Sequence, residues 1–240
     1  MNRMIVMTCA MGMALSSGYA ALPEERSDFP VSKNLRGHEN IEWSTSYAYH
    51  LSDEKKALPR VLLVGDSICQ AYQGGVSAAL EGKMSVTYWA SSYCLTSPCY
   101  MRLLSLYLDE AEYSVVHFNN GCHSLSTGNE DWEKGLRGAF ALIRRKQPNA
   151  KVIWTTITPN GDPKLNAKVM ELNAIAAKVV VESNDIVTDD LFALMNPLDR
   201  KANWRDAFHF NQEAVNMQIG QVVEKCLRVA GVVPSAESRR

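Results

Sequence analysis

A serine that follows a short glycine turn is the first group in this sequence that could act as a nucleophile. Ser67 comes after Gly65 and Asp66, and the residues just before them, 61–64, are continuously apolar. Such a run is typical of a buried parallel strand, and Gly65 lets the chain turn sharply into a helix. The exposed N–H groups and partial positive charge at the start of that helix would stabilise an alkoxide or oxyanion at Ser67. Helix capping by Asp66 or Ser67 is the alternative interpretation, because both residue types commonly cap helices.

A histidine near the C-terminus has a carboxylate at the spacing that a catalytic base requires. Asp206 precedes His209 by three residues, just before the last predicted helix. A carboxylate at this spacing can bond the imidazole, fix its tautomer and leave the other nitrogen free to accept a serine proton. Ser67, His209 and Asp206 are therefore predicted to form a catalytic triad. Taken by itself, this motif has an alternative interpretation: a solvent-exposed aspartate beside a loop histidine whose hydrogen bonds are made by other groups.

Strands and helices alternate along the chain, and this alternation predicts how the candidate residues are brought together. Apolar strands separated by helices are typical of a parallel sheet covered on both faces. In such sheets the chemistry occurs beyond the carboxyl ends of the strands. The strands are predicted at 61–64, 84–90, 114–118, 151–157 and 185–190, and the helices at 68–80, 100–110, 131–147, 165–182 and 211–230.

Several sequence blocks resemble the GDSL-like (SGNH) hydrolases. VLLVGDSI is similar to the first block of that family, and DAFHFN is similar to the last block, which supplies the acid and the base. VVHFNNGCH, WTTITPN and LNAIAAKVVVESNDIVTDDLFAL also resemble the corresponding stretches of bacterial members. The resemblance extends from about Arg60 to Leu227. It implies an α/β fold, a flavodoxin-like three-layer α/β/α sandwich with a five-stranded parallel sheet.

Two blocks depart from the family pattern, and both concern the oxyanion hole. In YWASSYC the glycine whose N–H normally contributes is replaced near Ser92, although a backbone N–H remains with any side chain. In the block that normally reads Gly-x-Asn-Asp, His123 stands where the Asn is expected, and Asn119 and Asn120 precede the glycine. The resemblance implies oxyanion donors at Ser67 and Ser92 and in this loop. His123 is favoured there by position, and Asn120 by its chemical similarity to the usual donor.

Charge and length exclude some classes of function. The 240 residues carry a formal net charge of −1, whereas a nucleic-acid binder or a polybasic membrane-surface protein needs a basic excess. The length fits one domain with a sizeable core. We therefore predict no nucleic-acid partner.

The N-terminus has the order of a secretory signal peptide. A cation at Arg3 is followed by an apolar stretch too short for a membrane span, and small residues surround Ala20. We therefore predict a signal peptide at 1–20, an irregular N-terminal extension at 21–59 anchored by aromatic side chains, a hydrolase domain at 60–232 and a flexible tail at 233–240. The predicted location is periplasmic or secreted, with no membrane span in the mature protein.

Export to an oxidising compartment allows disulfides, and five cysteines remain after residue 20. Cys94 and Cys99 are close in sequence and form the best candidate pair. The pairing of Cys69, Cys122 and Cys226 stays open. No second Cys/His pair occurs at zinc-finger spacing, so we predict no metal site.

The resemblance implies a serine esterase that forms an acyl-enzyme on Ser67 and needs no metal or organic cofactor. The expected substrate is a small-molecule or polysaccharide ester, with a short acyl group such as acetyl on a carbohydrate. A lysophospholipase or thioesterase is one alternative. A non-catalytic carbohydrate-binding protein that retains the fold is the other.

Overall fold

The apolar runs of the sequence form the strands of one sheet in the structure, a computed structural model that describes residues 41–49 and 57–232. These residues belong to one compact unit. Within them the sheet has six strands in the order β1-β3-β2-β4-β5-β6. The strands are β1 (Ser44–Ala48), β2 (Arg60–Gly65), β3 (Ser85–Ser91), β4 (Val115–Phe118), β5 (Lys151–Thr155) and β6 (Ile186–Asp189).

The predicted five-stranded parallel sheet is confirmed for β2 to β6, in which each pairing is parallel. The sixth strand corrects the prediction that 21–59 is irregular, because β1 pairs antiparallel with β3. It consists of serine, threonine, tyrosine and alanine residues and lies at the sheet edge, so it has no apolar run that would reveal it. The predicted signal peptide at 1–20, the tail at 233–240 and the stretches 21–40 and 50–56 lie outside the described residues.

The described part of the extension contains three aromatic side chains, of which two pack against the core and the third stacks on the sheet. Trp43 and Tyr49 lie against the buried cluster beneath the sheet. The Tyr47 ring is stacked on Tyr88 at 6.0 Å, although its side chain remains largely exposed. The extension is therefore joined to β3 by backbone pairing and by aromatic contacts.

The five predicted helices occur within two residues of their expected bounds. Four of them begin one or two residues earlier than predicted, and two of these four begin at Pro98 and Pro163, where Ser97 and Asp162 act as the N-caps. Proline is favoured in the first helical turn because it donates no N–H there, so each proline starts its helix rather than preceding it. The helices are α1 (Ser67–Ala79), α2 (Pro98–Asp109), α3 (Asn129–Lys146), α4 (Pro163–Ser183), α5 (Leu191–Met195), α6 (Arg200–Asn203) and α7 (Gln212–Ala230).

Alternate side chains of each strand pack into two separate cores, which gives the predicted three layers. Val115 and Ile153 belong to a buried cluster with residues of α1 and α7. Phe118 and Trp154 point to the opposite face of the sheet and contact Phe140 of α3, whose ring centroid lies 5.7 Å from that of Phe118 and 6.1 Å from that of Trp154. The sheet therefore lies between helices on both faces.

Candidate active site

The turn after β2 places Ser67 at the first position of α1. A Cβ at Gly65 would lie 2.5 Å from the Cβ of Cys69, so only glycine fits at this turn. Asp66 is the N-cap of α1, and its Oδ1 accepts from the Ile68 N–H at 3.0 Å. Asp66 therefore caps the helix, and the Ser67 hydroxyl is available for another bond.

The structure brings the three predicted triad residues together in one line of hydrogen bonds. The Ser67 Oγ lies 2.8 Å from His209 Nε2, although the two residues are 142 positions apart in the sequence. His209 Nδ1 lies 2.8 Å from Asp206 Oδ2 and 3.0 Å from Oδ1. Because a carboxylate can only accept, Nδ1 carries the proton and Nε2 is the acceptor facing Ser67. This arrangement can remove a proton from Ser67 as an acyl group is attacked.

Asp206 is held in its charged form by its immediate neighbours. Partial burial acts to raise its pKa, but the Phe208 N–H, the His209 ring and the His209 N–H all bond the carboxylate. Both backbone N–H groups donate to Oδ1 at 2.8 Å. Together they lower the pKa of Asp206 to about 2. The orienting group is therefore an anion across the whole neutral range.

The loop after β5 supports the loop that carries the base. The Gly161 N–H donates to the Ala207 carbonyl at 2.7 Å, and a Cβ at Gly161 would lie 2.9 Å from the Ala207 Cα. The Arg200 guanidinium donates to the carbonyls of Asn160, at 3.1 Å, and Gly161. None of these supporting residues was predicted from the sequence. The sequence feature that could have indicated this supporting loop is the position of Gly161 just beyond the carboxyl end of a strand.

Trp204 lies in the same segment as the base. Its ring packs against Phe210 at 4.6 Å, and the Arg200 guanidinium lies 5.0 Å from its centroid. The Arg205 N–H donates to the His209 carbonyl at 2.9 Å, which closes this segment into a tight loop. Trp204 therefore stabilises the loop around His209.

Ser92 does not supply the backbone oxyanion donor that the family pattern implies. Its N–H donates to the Trp43 carbonyl at 3.1 Å. Its hydroxyl accepts from the Trp43 N–H at 2.8 Å and donates to Glu42 at 2.5 Å. The cause is the N-terminal extension, which lies along β3 and uses these groups. This prediction is therefore wrong for Ser92.

The two side chains predicted as oxyanion donors in the loop after β4, Asn120 and His123, have different surroundings. Asn120 is buried, and its Nδ2 donates to the Tyr93 carbonyl at 3.0 Å. Its Oδ1 accepts from the Ser124 hydroxyl at 2.7 Å. His123 lies in a 3₁₀ turn, Cys122–Ser124, with its ring edge-on to Trp43 at 6.0 Å. Asn120 therefore supports the loop.

A buried histidine–aspartate pair lies within the sheet beneath the site. His117 Nε2 is 2.9 Å from Asp189 Oδ2, and both side chains are fully buried. Gln221 of α7 donates to Asp189 Oδ1 at 2.7 Å. Burial acts to raise the pKa of Asp189, but the bonds from His117 and Gln221 hold it below its ordinary value. This pair links β4, β6 and α7, and the sequence carried no motif for it.

The predicted disulfide between Cys94 and Cys99 is absent, and no disulfide joins the cysteines in residues 57–232. Cys94 is buried with its sulfur 3.3 Å from the Thr96 hydroxyl, and Cys99 lies in the first turn of α2. Close spacing in sequence therefore did not imply that the two sulfurs meet.

Two further cysteines lie next to the candidate nucleophile. Cys69 and Cys122 both line a cavity of about 10 Å³, which is enough for about one water molecule. Burial raises the pKa of both thiols well above the ordinary value. Because the thiolate is the reactive form, these cysteines do not compete with Ser67 as nucleophiles at neutral pH.

The described part of the chain contains no group of three or more His, Cys, Asp or Glu side chains arranged to hold a metal ion. Among its helices, none is both long enough and apolar enough to cross a membrane.

Solved structures resemble the chain in fold, whereas the sequence matches no known family model and no curated protein. One is a carbohydrate esterase of family 3 from Talaromyces cellulolyticus, with a TM-score of 0.60 and 15% identity over 74% of this chain and 100% of that one. An acetyl esterase variant with an acetate ion has a TM-score of 0.59 and 15% identity over 72% and 99%.

A lipolytic protein of the G-D-S-L family from Veillonella parvula has a TM-score of 0.58 and 17% identity over 69% of this chain and 96% of that one. At such identities these likenesses show the fold alone. The chain has the fold of the GDSL-like (SGNH) hydrolases, as the sequence blocks implied.

Proposed function

We propose that this protein is a serine ester hydrolase that forms an acyl-enzyme on Ser67. The observation that carries the proposal is the line of hydrogen bonds from Ser67 through His209 to Asp206, at the N-terminus of α1. A nucleophile, a base and an anionic orienter within bonding distance form the minimal apparatus for acyl transfer.

In the acylation step, the Ser67 Oγ attacks the ester carbonyl carbon while its proton passes to His209 Nε2. Asp206 stabilises the imidazolium that forms, because its carboxylate accepts from Nδ1–H. His209 then gives the same proton to the leaving alcohol oxygen as the carbon–oxygen bond breaks. The product of this step is the alcohol together with an acyl ester on Ser67.

Deacylation repeats the same proton transfers with water. His209 Nε2 takes a proton from the water that attacks the acyl carbon, and returns it to the Ser67 Oγ as the acid leaves. Every proton in the cycle is carried by the triad. The proposed mechanism therefore requires no organic cofactor.

The oxyanion needs donors that are in place before the reaction. The N–H of Ser67 at the start of α1 is the first proposed donor. His123 is proposed as a side-chain donor from the loop after β4, since it stands at the family's Asn position. An imidazole donates from one nitrogen when neutral and from both when charged.

His123→Phe should lower kcat by about a hundred- to a thousandfold with little change in KM. The phenyl ring can retain the edge-on contact with Trp43 but has no N–H to donate. Steady-state kinetics on a short-chain ester would measure both parameters. His123→Ala is the companion variant, because it removes the donor and the ring contact together. A His123→Phe enzyme with normal kcat beside an impaired His123→Ala enzyme would assign His123 to packing instead.

We propose a short acyl group on a carbohydrate as the substrate class. The support is the fold shared with a family 3 carbohydrate esterase and with an acetyl esterase. The signal-peptide pattern at 1–20 supports export, where polysaccharide esters would be met.

Acetyl esters should be hydrolysed faster than longer ones. A series of p-nitrophenyl esters from acetate to palmitate, assayed beside acetylated polysaccharides, would measure the dependence of kcat/KM on acyl length. A decline with chain length and release of acetate from the polysaccharide are expected. A maximum at long chains would favour the lysophospholipase or thioesterase alternative. Absence of turnover together with absence of fluorophosphonate labelling would favour a non-catalytic binding protein.

A further inference from the structure

The N-terminal strand enters the sheet at the edge where the candidate active site lies. Strand β1 is antiparallel to β3, and its first residue, Ser44, is opposite Ser91, the last residue of β3. The start of β1 is therefore at the carboxyl edge of the parallel strands, where α1 begins at Ser67. Trp43 comes directly before β1, so the chain brings this side chain to the same edge as the nucleophile.

Trp43 lies on the face of the sheet that α1 covers. It packs against the buried cluster to which Ile68 and Cys69, from the first turn of α1, belong. Tyr47 lies four residues further along and stacks on Tyr88, a member of the same cluster. The extension therefore presents two aromatic side chains to one face of the sheet, and Trp43 is the one at the end that carries the site.

The backbone of Trp43 is fixed to the residue that follows β3. Its N–H donates to the Ser92 Oγ at 2.8 Å, and its carbonyl accepts from the Ser92 N–H at 3.1 Å. The Ser92 hydroxyl in turn donates to the Glu42 carboxylate at 2.5 Å. Ser92 is 1% exposed, so water has little access to compete for its groups. The point from which the Trp43 side chain extends is therefore set by β3.

The Trp43 ring reaches the loop after β4, although β2 and β3 lie between β1 and β4 in the sheet. Its centroid is 6.0 Å from that of the His123 ring, and the two planes are inclined at 83°. This edge-to-face geometry is a favourable one for aromatic rings. His123 is half-buried in a 3₁₀ turn of three residues. Packing against the indole therefore limits the directions in which the imidazole can point its N–H groups.

We propose that Trp43 is a positioning residue for catalysis, which holds the His123 ring in the direction needed to donate to the oxyanion. The proposal rests on the proposed esterase function and on His123 as an oxyanion donor. Such a donor is effective only if it is in place before the charge develops. A misplacement of about 1 Å at a reacting group can cost about a hundredfold in rate. The N-terminal strand is then part of the catalytic unit as well as an edge of the sheet.

Trp43→Leu removes the indole and leaves the triad and the backbone bonds to Ser92 in place. We expect kcat on a short-chain ester to fall by about ten- to a hundredfold, with KM nearly unchanged. Trp43→Phe keeps an aromatic ring on this face and should retain kcat within a few-fold of the wild type. Trp43→Met replaces Trp43→Leu if that variant does not fold, because its flexible side chain fills space but offers no ring.

A double-mutant cycle with His123→Phe tests whether Trp43 acts through His123. If it does, the double variant Trp43→Leu/His123→Phe should have the kcat of His123→Phe alone, because no imidazole remains to be positioned. A general loosening of the fold would instead lower kcat by the same factor in both backgrounds. Steady-state kinetics of the four proteins on one ester gives this comparison.

Tyr47→Leu is the matched control. Tyr47 lies in the same extension and stacks on Tyr88 at 6.0 Å, the distance that separates the rings of Trp43 and His123. It is paired with β3 further from the carboxyl edge, opposite Tyr88. Tyr47→Leu therefore removes a comparable aromatic contact away from the site, and its kcat should remain at the wild-type value.

The outcomes separate this proposal from the proposed function. A wild-type protein that a fluorophosphonate does not label would overturn both, because Ser67 would not be activated. With a labelled wild type, normal kcat in either Trp43→Leu or His123→Phe would overturn the role of Trp43 alone. Losses that multiply in the double variant, or an equal loss in Tyr47→Leu, would also overturn it. Trp43→Phe as impaired as Trp43→Leu would show that the ring contact is not the cause.

Discussion

Ser67→Ala should lower kcat by about 10⁶-fold, to the level that binding and the oxyanion donors can sustain without a nucleophile. The reason is geometric, since Ser67 Oγ is the only atom in the triad line that can bond the acyl carbon while His209 Nε2 takes its proton at 2.8 Å. Rapid mixing with a p-nitrophenyl ester should show a burst for the wild type and none for the variant. Mass spectrometry of a trapped acyl-enzyme should find the added mass on the peptide that contains Ser67.

The control for this prediction lies on the same helix. Ser77→Ala removes a buried hydroxyl ten residues further along α1 and should leave kcat unchanged. His209→Ala should be nearly as inactive as Ser67→Ala, and the double variant no worse than either, because the two residues act as a unit. Near-normal turnover in Ser67→Ala, or an acyl group found on another residue, would show that the triad line is not the catalytic apparatus.

The triad could be predicted from the sequence because each of its signals is local. Gly65 followed by Ser67 after an apolar run marks a strand-to-helix turn, and Asp206 with His209 needs only one turn of chain. The parallel sheet then brings the two segments together. The turn that carries Ser67 lies at the carboxyl end of β2, and the loop that carries His209 packs beside that end. Short-range pattern and sheet order together were sufficient for this part of the site.

The oxyanion loops could not be predicted in the same way, because their groups are used by distant parts of the chain. The Ser92 N–H is unavailable because it donates a hydrogen bond to the carbonyl of Trp43, which belongs to the extension. Strand β1 has no apolar run and pairs at an edge, so neither its presence nor this bond is visible in the pattern. The acceptor that a backbone N–H finds depends on the tertiary structure, so it cannot be predicted from a local pattern.

The direction of each side chain was the other property that could not be predicted from the sequence. Asn120 and His123 are three residues apart and both can donate, yet Asn120 is directed to the Tyr93 carbonyl and His123 packs on Trp43. Cys94 and Cys99 are close enough in sequence for a disulfide, yet their side chains belong to a buried loop and to a helical turn. In each case composition and spacing allow both outcomes, and packing decides between them.

Asp206→Asn should lower kcat by about 10³- to 10⁴-fold while leaving KM nearly unchanged. The amide keeps an oxygen at the position that accepts from the backbone N–H groups of Phe208 and His209, so the loop is preserved. Its nitrogen, however, faces His209 Nδ1 and can only donate. The imidazole must then carry its proton on Nε2, where it cannot accept the proton of Ser67.

Asp199→Asn is the matched control, since Asp199 caps α6 through the same kind of side-chain oxygen and lies seven residues before Asp206. It should retain the wild-type kcat. An Asp206→Asn enzyme within tenfold of the wild-type kcat would mean that the carboxylate does not orient the base.

The dependence of folding stability on pH tests the same carboxylate independently of activity. The pKa of Asp206 is lowered to about 2 in the folded protein, so its charged form favours folding. That contribution is complete above the ordinary aspartate pKa of about 3.9 and is lost as the pH falls towards 2. Urea unfolding of wild type and Asp206→Asn should therefore differ at pH 7 and converge as the pH approaches 2. A constant difference down to that pH would mean that the bonds of Asp206 do not favour its charged form.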